Sequence, residues 1–153
     1  MVLFIDGSTM AQCSPPDMKL PIALGLSWPD RLPGVAQSCD WSTAASWTFE
    51  PLDNSAFPAV ELARQAGRLG GTAPAVYNAA NEACVDAFHE GQIDFTQIVD
   101  IVAVVLHEHA GSDPDVVSKL VASDQLTLEK VLAADAWARA RAEDLTRATE
   151  HAR

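Results

Sequence analysis

The sequence predicts an α+β chain, mostly α, in which a β-hairpin and one helix precede an aromatic linker and a bundle of three or four helices. Three observations carry this. Asp6-Gly7 sits between two short apolar runs, a strong hairpin signal. Asp94 to Gln97 form a capping box ahead of Ile98, Ile101, Val102, Val105 and Leu106, which recur at i, i+3, i+4, i+7 and i+8. Between 57 and 91, Pro and Gly punctuate apolar stretches at helix-start and helix-end positions.

The hairpin comes first. Residues 1–5 are apolar and β-prone, and Thr9-Met10-Ala11-Gln12 supply a return strand. A two-residue Asp-Gly turn between them needs φ > 0 at both positions. A lone hairpin is marginal in water, and the rest of the chain offers no convincing partner strand. That hints at truncation. The pair is expected to present an exposed, apolar edge over residues 1–12. Ser14-Pro15-Pro16-Asp17 breaks the strand, and Asp17 is placed to cap a helix over 18–28 with Pro21 in its first turn. Pro29, Pro33 and Gly34 end it. Residues 34–57 lack a clean period and hold Trp41, Trp47 and Phe49, so they read as a packed linker anchored by aromatics.

Pro58 suits a first helical position and Gly67 a C-terminal cap, with a break at Gly70-Gly71. An Ala-rich helix spans 73–89 and closes at Gly91. The helix begun at Asp94 is expected to stop at Gly111 and Pro114. Residues 112–126 read as an irregular connection and 127–132 as a short helical turn. Asp135 is then expected to cap a final helix carrying Trp137, Ala138, Arg141 and Leu145, with a frayed tail after Thr146. The domain reading is therefore 1–33 for hairpin and helix, 34–56 for the linker, 57–146 for the bundle and 147–153 for the tail.

Charge and cysteine usage bound the function. Net charge is −11, from 21 acidic and 10 basic residues. Such a surface repels phosphate backbones and anionic headgroups, which argues against nucleic-acid and membrane partners. No apolar run is long enough to span a bilayer, and no basic region followed by an apolar one opens the chain, so a cytoplasmic protein is the default. Cys13, Cys39 and Cys84 give neither a disulfide framework nor a zinc pattern and read as buried small hydrophobes in a reducing compartment.

Few constellations suggest chemistry. His107-Glu108-His109 places its two imidazoles about 200° apart around a helix, so they share no face, and a solvated helix end with His near the dipole is the better reading. Ser8 in Asp6-Gly7-Ser8 lacks a nucleophile elbow, and turn chemistry accounts for it. Gly67 to Gly71 follow no strand, so a helix–helix break outweighs a phosphate cradle. Asn78 and Asn81 cost helix propensity and call for compensating hydrogen bonds, structural ones before ligand contacts. Cys84 has no activating neighbour in sequence. Pro15-Pro16-Asp17-Met18 is the best site candidate: a stiff turn holds a soft Met side chain, suited to a planar ligand face. From these residues alone, core packing of Met18 remains the favoured alternative.

Read together, Phe4-Ile5-Asp6-Gly7-Ser8-Thr9-Met10-Ala11-Gln12, Pro16-Asp17-Met18-Lys19-Leu20-Pro21-Ile22-Ala23 and Trp28-Pro29-Asp30-Arg31 resemble the closing part of the catalytic domain of the 1-deoxy-D-xylulose 5-phosphate reductoisomerase family, in its actinobacterial form. Leu52-Asp53 with Phe57-Pro58-Ala59-Val60-Glu61-Leu62-Ala63, and Asn78-Ala79-Ala80-Asn81-Glu82, resemble its C-terminal helical domain. The resemblance covers residues 1–146, with 110–126 departing from it. It implies an NADPH-dependent reductoisomerase that needs Mg or Mn, is inhibited by fosmidomycin, and converts a phosphosugar, 1-deoxy-D-xylulose 5-phosphate, to 2-C-methyl-D-erythritol 4-phosphate for non-mevalonate isoprenoid synthesis. A homodimer is implied too. Pro16 and Met18 match positions near the nicotinamide, as cofactor-binding residues. No catalytic residue and no metal ligand of the family has a counterpart here. The resemblance thus implies a C-terminal fragment, inactive alone, or a gene read from an internal Met. The rival reading is a free-standing acidic helical module that binds a protein partner.

Overall fold

The computed structural model describes residues 1–112 and 126–150. The chain divides into two compact units, Met1–Glu50 and Pro51–Arg153.

In the first unit β1 (Val2–Leu3) pairs antiparallel with β2 (Thr9–Met10), in the register Val2 to Met10 and Leu3 to Thr9. The turn differs from the expected two-residue form. Gly7 alone takes positive φ, at 86°, and Asp6 does not. The Gly7 N–H donates to the Phe4 carbonyl at 3.0 Å and the Phe4 N–H to the Ser8 carbonyl at 2.9 Å. This is a three-residue loop, a turn through Ile5 and Asp6 followed by a left-handed glycine. Asp6 prefers it because its carboxylate accepts the Ser8 amide (2.9 Å) and hydroxyl (2.6 Å), an Asx turn available without positive φ. α1 (Lys19–Ser27) follows, and no residue on it is buried. The Trp28–Pro29 peptide is cis.

The second unit holds the core. α2 (Ala59–Leu69) runs past Gly67, the expected cap, and ends at Gly70 (φ 68°), whose N–H donates to the Ala66 carbonyl at 3.1 Å. Gly67 is not among the glycines with positive φ and simply continues the helix; of this cluster, Gly70 and Gly71 use the freedom glycine offers. α3 (Ala73–His89) closes as the sequence predicts. The Gln92 N–H reaches the Ala87 carbonyl at 2.9 Å and the Gly91 N–H the Phe88 carbonyl at 3.0 Å, a Schellman motif around Gly91 at φ 77°. α4 (Phe95–Ser112) opens with the Gln97 side chain accepting the Asp94 N–H at 2.7 Å, the reciprocal half of a capping box. It is described as far as Ser112, between the Gly111 and Pro114 expected to end it; Pro114 lies outside the described residues. α5 (Leu128–Glu150) is one continuous helix. The expected break before Asp135 is absent, because Asp135 pairs with Arg139 one turn on rather than capping. The helix also passes Thr146, where fraying was expected, to Glu150; residues 151–153, like most of the 112–126 connection, lie outside the described residues.

α3 is the central element, packed on α5 and α4, with α2 against α3 and α4. The five apolar positions read from the α4 periodicity are all buried. They meet Val76, Ala79, Ala80, Cys84 and Ala87 of α3 and Ala138 and Ala142 of α5, while Leu106 joins Ala66 and Ala73. The α+β, mostly α class is as expected.

Candidate functional site

The site candidate lies where the hairpin feeds α1. Pro15 and Pro16 restrict the entering backbone, and the Asp17 carboxylate accepts the Lys19 N–H at 2.9 Å. The Leu20 N–H donates to the Asp17 carbonyl at 3.2 Å and the Ile22 N–H to the Met18 carbonyl at 3.4 Å. Pro21 falls in the first turn, where a missing N–H costs nothing. Asp17 therefore caps α1 as predicted, and Met18 (φ −64°, ψ −19°) is already helical in backbone. At the far end, Ser27 Oγ lies 2.9 Å from the Ala23 carbonyl and 2.8 Å from that of Asp30, closing the helix by side-chain competition for its last acceptors.

The backbone is tied down while the Met18 side chain is not: it is 72% exposed. Among the described residues Met18 is therefore not part of a packed core. Pro16 is also exposed. Ile22, Leu26 and Trp28 extend the same unit's exposed apolar surface. Behind the turn, a cavity of about 490 Å3 is lined by Gln12, Cys13, Ser14, Pro15, Pro16, Cys39, Trp47 and Phe49. Trp47 meets Trp41 edge to face, with centroids 5.7 Å apart.

The other constellations resolve into structure. Glu108 forms a two-point pair with Arg141 (2.7 and 2.8 Å) that joins α4 to α5, and the Arg141 guanidinium lowers its carboxyl pKa below the ordinary value. His109 Nε2 lies 3.0 Å from the Thr72 hydroxyl and its ring stacks at a tilt on Trp137. His107 points to solvent. Among the described residues, no three His, Cys, Asp or Glu side chains converge on a point that a metal ion could occupy. Asn78 donates to Glu82 (2.9 Å), and Glu82 accepts from Arg139 (2.6 Å), which also holds Asp135 (2.9 Å). The hydrogen bond expected to offset the cost of Asn78 is thus structural, a polar node between α3 and α5. Arg139 first, then Asn78, lowers the Glu82 carboxyl pKa. Sequence reasoning missed both cross-helix pairs. Glu82–Arg139 and Glu108–Arg141 each join residues far apart in sequence with no readable period, whereas Asp135–Arg139, within α5, was visible as an i,i+4 spacing.

The cysteines divide. Cys84 is wholly buried, and burial pushes its thiol up to about 11, so it is the inert small hydrophobe the sequence suggests. Cys13 is exposed and Cys39 half-buried, which corrects the reading of all three as buried. That reading treated cysteine as hydrophobic in general and overlooked that both lie outside any periodic apolar segment.

The described residues thus form a packed helical scaffold in the second unit and, in the first, a hairpin–turn–helix that leaves Met1, Met10 and Met18 exposed, with no convergent metal-donor set among them. The sequence matches the DXP reductoisomerase C-terminal domain over residues 13–141, and the chain belongs to that family. It is 63% identical over 147 residues to the 1-deoxy-D-xylulose 5-phosphate reductoisomerase of Cutibacterium acnes, covering 95% of this chain and 36% of that relative. With the Kitasatospora griseola enzyme it shares 62% over 145 residues, again 95% and 36%. These are the actinobacterial relatives the wording suggested. Among solved structures it resembles the Zymomonas mobilis enzyme in complex with NADPH, at 38% identity and TM-score 0.59, covering 95% of this chain and 36% of that one. A DOX-P reductoisomerase with fosmidomycin and magnesium gives 33% identity and TM-score 0.63, with 97% and 37% covered. The chain thus spans little more than a third of the length of the relatives it matches.

Proposed function

We propose that this chain contributes the helical C-terminal domain and a cofactor-facing turn to a 1-deoxy-D-xylulose 5-phosphate reductoisomerase, the NADPH- and Mg- or Mn-dependent enzyme that makes 2-C-methyl-D-erythritol 4-phosphate from that phosphosugar. The carrying observation is the exposed Met18 on a turn held rigid by Pro15, Pro16 and Asp17, within a family match that covers it. NADPH, when bound, supplies the hydride. Pro16 and Met18 offer the nicotinamide an apolar, polarisable face without charge, so they bind by dispersion and set orientation. The residues described here fit that role. They do not fit the metal: no donor set converges among them, and this chain's part is taken as scaffold and cofactor surface, with no catalytic residue. The reading divides the chain into a closing part of the catalytic domain (1–33), a linker (34–56) and the bundle from 57 onward. It places the enzyme in the cytoplasm as a homodimer without nucleic-acid or membrane partners. The charge of −11 supports only the expectation of no nucleic-acid or anionic-membrane partner; separately, no described helix is long and apolar enough to cross a membrane.

The test has two arms. NADPH oxidation with substrate and Mn is followed for the 153-residue chain alone, where no turnover is expected. In an enzyme of full family length carrying this sequence, Met18→Ala is expected to raise the KM for NADPH about tenfold, from the loss of a contact worth roughly 1–3 kcal/mol. Turnover by the chain alone, or unchanged cofactor kinetics with a lowered Tm, defeats the reading.

A further inference from the structure

We propose that Cys13 and Cys39 form a dithiol site, a reversible modification site that closes to an intramolecular disulfide by exchange with a low-molecular-weight disulfide. The juxtaposition is structural: residues far apart in sequence both line the cavity of about 490 Å3 beside Pro15 and Pro16. Each thiol is free, Cys13 exposed and Cys39 half-buried. That difference assigns their order. Cys13, open to solvent, attacks one sulfur of the small disulfide as thiolate; the S–S bond of the reagent breaks, one small thiol leaves, and a mixed disulfide remains on Cys13. Cys39 then attacks the Cys13 sulfur from the cavity wall, and the second small thiol leaves. The protons of the two protein thiols end on the two leaving thiols. The protein is oxidised by two electrons and the reagent disulfide reduced by two, so no further oxidant is needed.

The chain supplies its own control. Cys84 is fully buried in α3 of the second unit, with its thiol pushed up to about 11, and exchange does not reach it. Closing the bond would pin the stretch leading into Pro16 and Met18 to the aromatic segment carrying Trp47. The inference rests on the cavity and not on the cofactor role, so either can fail without the other.

The experiment uses the chain as it is, reduced and then exposed to oxidised glutathione, with remaining thiols alkylated and the unreduced digest read by mass spectrometry. The expected result is a Cys13–Cys39 linked peptide, with Cys84 alkylated only after unfolding. In Cys13→Ser or Cys39→Ser the remaining cysteine keeps glutathione, and far-UV circular dichroism checks that each variant stays folded. Bond formation should also be faster in buffer than in urea, on the order of tenfold, because the folded unit holds the groups together. Glutathione retained on both cysteines, cross-links between chains, a bond to Cys84, thiols left unmodified, or equal rates in urea would each overturn the proposal.

Discussion

Val105→Ala and Val104→Ala, one residue apart on α4, test whether the bundle core lies where the structure puts it. Val105 is 0% exposed among Val76, Cys84 and the α5 alanines, whereas Val104 is 43% exposed. Truncating Val105 removes about two methylene equivalents, or roughly 1.6 kcal/mol at about 0.8 each. The unfilled space adds about 0.5–1 kcal/mol, and the better helix propensity of alanine returns about 0.6. The net loss is about 1.5–2 kcal/mol. For a domain of this size that lowers Tm by roughly 6–15 °C. At Val104 the smaller burial term and the propensity gain nearly cancel, leaving a change within about 0.5 kcal/mol. Urea and thermal melts followed by circular dichroism read both. Equal losses at the two positions, or a larger one at Val104, would refute the facing of α4.

Acid should weaken the cross-helix pairs. Arg139 and Arg141 hold the carboxyls of Glu82 and Glu108 below their ordinary value of 4.5, so both contribute stability above that value and lose it as pH falls through their lower folded values. Arg139→Ala with Arg141→Ala should therefore flatten the fall of Tm below about pH 4.5, and an acid limb unchanged by the double variant would count against it. The hairpin makes a separate prediction: Leu3 is 73% exposed and Ile5 entirely so beside unpaired strand edges, so the whole chain should self-associate in sedimentation. A piece covering Pro51–Arg153 should instead melt cooperatively as a helical monomer, and equal behaviour of the two would contradict this.

What the sequence made legible was local and periodic. The α4 face could be read from spacing alone because an apolar residue every third or fourth position has only one buried arrangement. Gly91 and the Asp94–Gln97 box were readable because caps act over a few residues. The errors fall where two local rules compete. Gly67 is a helix breaker by propensity, yet it costs only about 1 kcal/mol, which the rest of α2 overrides. Asp135 is a good cap and an equally good i,i+4 partner; Arg139 decided it. Asp6-Gly7 allows two hairpin turns, and the hydrogen bonds of Asp6 to Ser8 selected the longer one. At the site, the turn chemistry of Pro16 and Asp17 was visible, while the exposure of Met18 was not, because exposure depends on what the rest of the fold leaves uncovered.

Into the core they share with α4, α3 sends Ala79, Ala80, Cys84 and Ala87 and α5 sends Ala138 and Ala142, with Leu145 packed at its side. Alanine has no side-chain torsion to freeze, so this seam orders at little entropic cost. Those alanines also have no rotamer to change. A leucine core can absorb an intruding methyl by swinging a neighbour aside; where alanine meets alanine the yielding coordinate is the distance between helix axes. The seam acts as a gauge that sets one spacing, and a single enlargement, such as Ala138→Val, would be met by translation of the whole of α5 rather than by local repacking.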